Sequence, residues 1–343
     1  MLSKIGLGGL VLSLSMYAGC SQTDYSDFTF ADTQQGSTVD NGTALNGMKQ
    51  NGMKQNGMKQ NGVGLHVATI TSGNIVAAAD ADATITFSSS QLNQTIIDAD
   101  LEDGNTTKFR IDAVTYNSSV GTNFYYLSNW NPTTGTWESA CGIDPTGTYA
   151  PAGTLIPAVA FADTWNLVNG TNVYDPDKFT FSCVNAAIGK CVVWGYKRWA
   201  SQQECDGGNC KTQDMSFFHQ ACTRLVRADY CGDGMYHTRN GTSIDVYDNL
   251  GIQTRDGVVG NSLEADWRYD GAHCLRHTRW LRADTADTSY ATDLAYVTAK
   301  CPSRLASNDA SCADPNASHF FKANGFNDSL VNRVVLRNES YMH

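Results

Sequence analysis

The sequence is poor in charged residues and lacks the short motifs by which many enzymes are identified. Asp, Glu, Lys and Arg make up 17% of its 343 residues, below the quarter that is usual in globular proteins. It contains no Gly-x-Ser-x-Gly elbow, no phosphate-binding loop after a strand and no His-Glu-x-x-His helix, and GTSID at 241–245 lacks the second glycine of the elbow. These absences exclude the familiar signatures of serine hydrolases, phosphate-binding loops and zinc proteases.

Positive charge is also scarce. The chain has 24 Lys and Arg against 34 Asp and Glu, and its formal net charge is −10. A surface of this sign repels phosphate backbones and anionic lipid headgroups. We therefore expect no nucleic-acid partner and no electrostatic attachment to membranes.

The N-terminus has an apolar run that is too short to span a bilayer comfortably. The first twenty residues, MLSKIGLGGLVLSLSMYAGC, contain one cation and then an uncharged apolar segment, and polar residues follow at once. This layout is typical of a secretory signal peptide rather than a membrane helix. We predict a signal peptide at residues 1–20.

The end of this segment is similar to the lipobox of bacterial lipoproteins, in which a cysteine thiol receives a diacylglycerol. Ala18 and Gly19 precede Cys20 as in that motif, although Tyr17 stands where an aliphatic residue is usual. The alternative is an ordinary signal-peptidase site that leaves Cys20 unmodified. We predict lipid attachment at Cys20, so that acyl chains bind the protein to a membrane. Because Ser21 replaces the aspartate that favours inner-membrane retention, the predicted location is the outer membrane, facing the periplasm or the cell surface.

Residues 21–62 are rich in Gly, Asn, Gln, Thr and Ser and contain a five-residue NGMKQ repeat. Met48, Met53 and Met58 advance five positions each time, so neither a helix nor a strand collects them on one face. The run resembles pentapeptide-repeat proteins, but three copies and a partial fourth cannot stack into two coils. We predict a flexible tether over 21–62, with the final repeat leading into the first strand.

Residues 63–165 consist of short segments rich in β-branched and aromatic residues. ATITFSSS, KFRIDAVTY, NFYYLSNW and TLIPAVAFADTW are separated by turn signals such as NPTTG and DPTG. They predict a β-rich region that forms a β-sandwich or barrel-like layer. A disulfide-rich region follows at 166–343, and 63–343 could also be one compact domain. The predicted fold class is α+β, mainly β.

Ten of the eleven cysteines lie beyond residue 140. An even number of cysteines in an oxidising compartment indicates a framework of five disulfides. The connectivity cannot be deduced from the sequence, although Cys205/Cys210 and Cys301/Cys312 are plausible local pairs. The predicted disulfide cysteines are Cys141, Cys183, Cys191, Cys205, Cys210, Cys222, Cys231, Cys274, Cys301 and Cys312.

The segment SFFHQACTRLVRADYC predicts at least one helix, over about 216–231. Apolar residues from Phe218 to Val226 recur at helical spacing, and Ser216 could cap the helix while Gly232 could end it. On this pattern Cys222 lies on the buried side of the helix.

His219 precedes Cys222 by three residues and could activate it as a nucleophile. A nucleophilic cysteine needs a stabilised thiolate and access to its substrate, and a buried cysteine in an oxidising compartment has neither. We predict a disulfide at Cys222, assign no catalytic residue and incline against an enzyme.

Some histidines have spacings that could ligate zinc. His219 and Cys222 are one pair, and HCLRH at 273–277 offers His273 and His277, which could share one face of a helix. No Cys-x-x-Cys pair occurs, and zinc thiolate sites compete poorly where thiols are oxidised. We predict no metal and no cofactor.

Two internal echoes occur in the second half of the chain. ADYCGDG (228–234) resembles ADWRYDG (265–271), and TRLVRAD (223–229) resembles TRWLRAD (278–284), in reversed order. Their aspartates could form ion pairs with nearby arginines or an acid/base pair of the kind that glycosidases use, and ion pairs are the more common outcome. The residues concerned are Asp229, Asp233, Asp266 and Asp270, near Arg224, Arg227 and Arg279.

Several blocks in order, WGYKRW, HQACTRLVRADYCGDG, DVYDNLGIQTRD and EADWRYDGAHCLRHTRW, resemble the ADYC domain family. These exported bacterial proteins and lipoproteins are named for the tetrapeptide that stands here at 228–231. The resemblance is dense over about 140–285. It implies an exported, cysteine-rich domain and no established activity, so no functional residue is transferred.

Three hypotheses follow from these observations. The first is an exported cell-envelope lipoprotein that acts as a non-catalytic binding or structural module, with a glycan or an envelope protein as its ligand. The second is a carbohydrate-active enzyme with a carboxylate pair, and the third is a zinc-dependent protein. Four tryptophans could line a carbohydrate groove, but such residues more often anchor the core. They are Trp194, Trp199, Trp267 and Trp280.

Overall fold

The computed structural model describes residues 54–100, 106–166, 168–206, 209–239, 242–280, 288–308, 330 and 333–341. Within these ranges every helix is too short or too polar to cross a lipid bilayer. The predicted signal peptide, Cys20, Cys312 and the tether up to residue 53 lie outside the described residues.

The described residues form twenty strands and three α-helices. The strands of the first half are β1 (Lys54–Gln60), β2 (Val63–Thr71), β3 (Asn74–Ala79), β4 (Thr86–Ser88), β5 (Thr95–Asp100), β6 (Thr106–Asn117), β7 (Thr122–Asn131), β8 (Thr136–Ser139), β9 (Ile143–Asp144), β10 (Thr154–Leu155), β11 (Ala158–Phe161), β12 (Thr164–Trp165), β13 (Asn172–Val173) and β14 (Thr180–Cys183). The later elements are α1 (Ala187–Val193), β15 (Ser201–Asp206), β16 (Asn209–Asp214), α2 (Met215–Arg227), β17 (Ile244–Asp248), β18 (Asn261–Arg268), β19 (Gly271–Leu275), α3 (Ser289–Lys300) and β20 (Leu336–Tyr341).

The first half of the chain builds one large antiparallel sheet of ten strands. Its order is β14-β11-β7-β6-β5-β1-β2-β3-β4, and β8 pairs with the free end of β7. The sheet is strongly curved, because β2 contacts β11 across it and the Tyr125 hydroxyl on β7 accepts a hydrogen bond from the Ile75 amide on β3 at 2.8 Å. The concave side holds a core that includes Met58, Phe109 and Phe181, each at most 1% exposed.

Among the described residues, α1 covers one end of the convex side of this sheet. Phe124, Val159 and Phe161 point outward from β7 and β11 and pack against α1, so β11 and β14 are buried on both faces. Gly189 lets α1 approach β14 closely, because a Cβ there would lie 2.3 Å from the Cys183 carbonyl oxygen. The opposite end of the convex side, at β8, is not covered by α1.

The second half of the chain is organised around α2. This helix packs against a four-stranded antiparallel sheet of order β17-β20-β18-β19, and its apolar residues Phe218, Leu225 and Val226 are fully buried in that core. β20 comes from the end of the described chain and lies between β17 and β18. The sheet therefore depends on a long-range strand pairing.

The predicted fold class, α+β and mainly β, is confirmed. Most of the β-rich region forms one curved sheet, with β9–β10 and β12–β13 as separate strand pairs, and the predicted helix is present as α2 with different ends. The Asp214 carboxylate accepts a hydrogen bond from the Ser216 amide at 2.9 Å, so Asp214 rather than Ser216 is the N-cap. The helix ends at Arg227, five residues before Gly232, because Ala228 adopts the left-handed conformation.

The tether prediction is wrong for its last part. Lys54–Gln60 forms β1, which pairs with β2 and β5, and Met58 is 1% exposed. A β-bulge between Gln55 and Gly57 shifts the register there. The five-residue repeat gives no apolar periodicity, but backbone pairing with two neighbours forms a strand without one.

Candidate functional site

The ADYC tetrapeptide lies immediately after α2, and its first residue ends the helix. Ala228 adopts the left-handed conformation, with φ 52° and ψ 42°. Its amide donates to the Leu225 carbonyl at 3.0 Å, and the Asp229 amide donates to the Arg224 carbonyl at 2.9 Å. This is the Schellman arrangement that satisfies the last carbonyls of a helix. The Ala228 methyl group is fully buried in the core around α2.

Asp229, the second residue of the tetrapeptide, forms a buried ion pair with Arg224 one helical turn earlier. The same guanidinium donates to the Asn169 carbonyl and, at 2.9 Å, to the Thr171 hydroxyl. The Asp229 carboxylate also accepts from the Gly234 amide at 3.1 Å. The pair therefore joins the end of α2 to two separate loops.

Tyr230, the third residue, stacks between His237 and Trp267, with both ring centroids 5.6 Å away. Its hydroxyl donates to Glu264 at 3.2 Å and accepts from the Arg279 amide at 2.9 Å. Burial raises the pKa of Tyr230 well above its ordinary value, and the Glu264 carboxylate adds to the effect. The phenol stays protonated and links α2 to the four-stranded sheet.

Glu264 and Arg279 form the most deeply buried ion pair near the tetrapeptide. The Arg279 guanidinium donates to both carboxylate oxygens of Glu264, at 2.8 and 2.9 Å, and the two side chains are at most 1% exposed. Burial alone would raise the pKa of Glu264, but the Arg279 charge and its hydrogen bonds hold that pKa below its ordinary value. Arg279 also donates to the Leu225 and Val226 carbonyls at the end of α2, at 2.9 and 3.2 Å.

Cys231, the fourth residue, is bonded to Cys301. Cys301 directly follows α3, so this disulfide fastens α3 to the end of the tetrapeptide. The tetrapeptide therefore ends α2 and links it to two loops, to the four-stranded sheet and to α3.

The two sequence echoes meet in space. A Cβ on Gly232 would lie 1.8 Å from the Asp270 carbonyl oxygen, and one on Gly271 would lie 2.8 Å from the Tyr230 carbonyl oxygen. The Ala272 amide donates to that Tyr230 carbonyl at 2.9 Å. The segment from Tyr230 to Gly232 thus faces the Asp270–Gly271 turn backbone to backbone, and this approach requires glycine at 232 and 271.

The aspartates considered as an acid/base pair have separate partners. Asp229 pairs with Arg224, Asp266 pairs with Arg337 at 2.5 Å, and Asp270 pairs with Arg268 and Arg304 at 2.9 and 3.1 Å. Asp233 accepts from the Tyr296 hydroxyl at 2.7 Å. Three of the four carboxylates are therefore neutralised by arginine.

Two further acidic residues lie opposite each other on the outer side of the four-stranded sheet. Asp245 on β17 is paired with Glu339 on β20, and their side chains are almost fully buried. One Asp245 oxygen accepts from the Asp256 and Gly257 amides at 2.9 and 3.0 Å, while the other has no hydrogen-bond partner within the described part of the chain. Burial raises the pKa of Asp245, and the Glu339 charge adds to the effect. Since Glu339 comes from the last strand, sequence reasoning missed this pair.

The histidines considered as zinc ligands have separate structural contacts. His219 is fully buried beside Phe161 and Trp165 and contacts the Ile188 carbonyl through Nε2 at 3.1 Å. Burial lowers the pKa of His219 to about 3, and the Arg198 charge acts in the same direction. His277 contacts the Ser262 hydroxyl at 2.9 Å. Among the described residues no group of three or more His, Cys, Asp or Glu could hold a metal ion.

His273 and His277, which were considered as sharing one face of a helix, do not do so, because His273 lies on strand β19 and His277 follows that strand. The structure shows another histidine contact that the sequence did not indicate. His237 Nδ1 lies 2.9 Å from the Asp293 carboxylate, and both residues are buried. The two are 56 positions apart in the chain, so no local pattern could reveal them.

The cysteines of the described residues form disulfides. The local pair Cys205–Cys210 is present across the β15–β16 hairpin, but the suggested Cys301/Cys312 pair is wrong because Cys301 bonds Cys231. Cys274 is also disulfide-bonded. The other bonds are Cys141–Cys183 and Cys191–Cys222.

Cys222 is therefore held in a bond between α1 and α2 rather than beside His219 as a thiolate. The tryptophans suggested for a groove are mainly in the core, since Trp194, Trp267 and Trp280 are at most 5% exposed. Trp199 is half-buried against the core beneath α1.

The exposed tryptophan lies elsewhere, at the uncovered end of the large sheet. Trp130 on β7 is 38% exposed and faces Trp137 on β8, with ring centroids 5.4 Å apart. Arg110 on β6 lies over the Trp137 ring, 4.8 Å from its centroid. We call this cluster the β6–β8 outer face, and its residues are Arg110, Asp112, Ser128, Trp130 and Trp137.

The polar residues of the β6–β8 outer face form a connected set. The Asp112 carboxylate accepts from Arg110 Nε through one oxygen and from the Ser128 hydroxyl through the other, each at 2.5 Å. Ser128 is 6% exposed. The cluster thus combines aromatic surface with fixed charged and hydroxyl groups, which is a common composition of ligand sites.

The comparisons with known proteins agree with the sequence resemblance. The model of the ADYC domain matches residues 89–281, more than half of the 343 residues. No curated protein and no solved structure matches the chain. The matched segment contains β6–β8, α2 and the tetrapeptide, whereas β20, which completes the four-stranded sheet, follows it. The chain belongs to the ADYC domain family.

Proposed function

We propose that the protein is an exported cell-envelope lipoprotein whose ADYC domain is a non-catalytic binding module. The proposed anchor is a lipid on Cys20, and the proposed location is the outer membrane. Disulfides are compatible with export, since they form and persist in oxidising compartments. The signal-like first twenty residues support the same location.

The binding part of the proposal is supported by the contrast between buried, paired side chains near the tetrapeptide and exposed side chains on the β6–β8 outer face. Near the tetrapeptide, the groups that could perform chemistry are held in ion pairs and disulfides inside the fold. The β6–β8 outer face instead presents an exposed tryptophan beside a partly exposed guanidinium. Buried pairs of this kind stabilise a framework, whereas exposed aromatic and arginine groups are typical of recognition surfaces.

Lipid attachment is tested by growing the producing cells with a labelled fatty acid and fractionating them. The wild-type chain should carry the label and sediment with the outer membrane, whereas the Cys20→Ser variant should carry no label. An unlabelled wild-type chain in the soluble fraction would contradict the anchor.

Binding is tested with the exported Cys20→Ser chain and washed cell envelopes. We expect the protein to sediment with the envelopes and the further variant Trp130→Ala to lose this association. Tyr174→Ala is the matched control, because Tyr174 is also aromatic and is 76% exposed. Equal sedimentation of all three proteins would refute a binding role for the β6–β8 outer face.

A further inference from the structure

We infer that the β6–β8 outer face binds a neutral polysaccharide, an inference that rests on the proposed binding function and names its ligand class. Sugar rings have apolar C–H faces and a rim of hydroxyl groups, so they need an aromatic surface and hydrogen-bonding groups close together. The cluster of Trp130, Trp137 and Arg110 supplies both within one sheet face.

Contacts with neighbouring side chains fix the positions of the two tryptophan rings. Trp130 and Trp137 are directly opposite on β7 and β8 and meet edge to face, with an interplanar angle of 63°. Arg110 covers one side of the Trp137 ring. Such packing orients the rings, and it leaves Trp130 as the more exposed surface on which a sugar can stack.

The polar part offers donors beside the rings. Within the described residues Arg110 uses Nε for Asp112, and its two terminal amino groups donate no hydrogen bond. The Arg110 side chain is 27% exposed, so part of it is accessible from solvent. The terminal amino groups can donate to sugar hydroxyls, and the Asp112 carboxylate that fixes the guanidinium can accept from them.

The charges of the surrounding face favour a neutral ligand. Arg110 is paired with Asp112, and the neighbouring Lys108 lies 3.4 Å from Asp98 on β5. Both of these cations are therefore balanced by a carboxylate. An anionic polymer would gain little attraction here, and the protein as a whole carries a net charge of −10.

The test uses the exported Cys20→Ser chain in native gels that contain soluble glucomannan, xyloglucan, mannan or dextran. We expect at least one of these neutral polymers to retard the protein. Trp130→Ala should weaken the retardation by about tenfold or more, which is the effect of losing about 1.4 kcal/mol of stacking. Trp130→Phe should retain most of the binding, and Tyr174→Ala should match the parent protein.

Thermal unfolding of each variant separates lost binding from lost folding, because Trp130→Phe and Trp130→Ala should both retain the cooperative transition of the parent. No retardation by any neutral polymer, or equal retardation of Trp130→Ala, would overturn the inference. Polygalacturonate is the anionic comparison polymer in the same gels, and retardation by it alone would also overturn the inference, in favour of an anionic ligand.

A second arm distinguishes this inference from the proposed function. Mild periodate oxidation of the envelopes destroys sugar diols and leaves most protein surface intact. Loss of sedimentation after periodate supports the glycan. Sedimentation that persists after periodate and still depends on Trp130 would leave the binding function standing and refute the polysaccharide as its ligand.

Discussion

The buried pair of Glu264 and Arg279 permits a quantitative test of how the tetrapeptide is held. Arg279→Met would leave the Glu264 carboxylate, which is 0% exposed, with no arginine partner. It would also remove the donors to the Leu225 and Val226 carbonyls at the end of α2. Breaking a buried ion pair costs about 3–5 kcal/mol, so we expect a loss of about that size from the free energy of unfolding.

The assay is urea unfolding of the exported chain with its disulfides intact, followed by tryptophan fluorescence. Glu264→Gln should also be strongly destabilised, and the double variant Glu264→Leu/Arg279→Met should lose less than the sum of the single variants, since no buried charge remains. Lys108→Met is the control. It removes an exposed pair and should cost at most about 1 kcal/mol.

The same pair predicts a pH dependence. Because the pKa of Glu264 is lowered in the folded protein, its contribution is present above the unfolded-state pKa and is lost as the pH falls through the folded-state pKa. The difference between the parent and Glu264→Gln should therefore shrink under acidic conditions. Single-variant losses below about 1 kcal/mol, additive in the double variant, would refute the reasoning.

Three further predictions address other parts of the fold. Gly232→Ala should prevent accumulation of folded protein after export, because the new Cβ would overlap the Asp270 carbonyl oxygen, and normal yield with a parental melting temperature would contradict this. Because the pKa of Asp245 is raised in the folded protein, its contribution to stability is lost as the pH rises through the folded-state pKa. The free energy of unfolding of Asp245→Asn should therefore increase relative to that of the parent as the pH rises from acidic to neutral. A difference in unfolding free energy that does not change with pH would argue against this. Asp214→Ala should cost about 1 kcal/mol in urea unfolding through loss of the α2 cap, and no measurable change would show that the cap is redundant.

The sequence predicted those features that depend on local pattern. The apolar spacing in SFFHQACTRLVRADYC was sufficient for α2, and the alternating β-branched segments were sufficient for a mainly β fold. The ends of α2 were less well predicted. Asp214 lies outside the apolar pattern, and alanine rarely adopts the left-handed conformation that Ala228 has here. The first strand was missed for a similar reason, because Lys54–Gln60 carries a repeat without apolar periodicity.

The exposure of the candidate site depended on how distant parts of the chain pack together. Trp130 and Trp137 were within reach of a hairpin prediction, because the turn NPTTG separates them. The exposure of these two rings could not be predicted from the sequence, because it follows from the position of α1 at the other end of the convex side of the large sheet. The tryptophans near α2 looked equally suitable from the sequence, yet Trp267 is fully buried against Tyr230.

By itself the sequence determined the class of fold, the main helix, the family and the oxidised state expected of the cysteines, because each of these depends on composition, short-range spacing or ordered motifs. Only the tertiary structure decided that Cys231 bonds Cys301 and that the arginines of β20 and its surroundings neutralise carboxylates far away in the chain. Pairing of charges and sulfur atoms depends on distance in space. That distance is set when the sheets close around α2, and no local pattern encodes it.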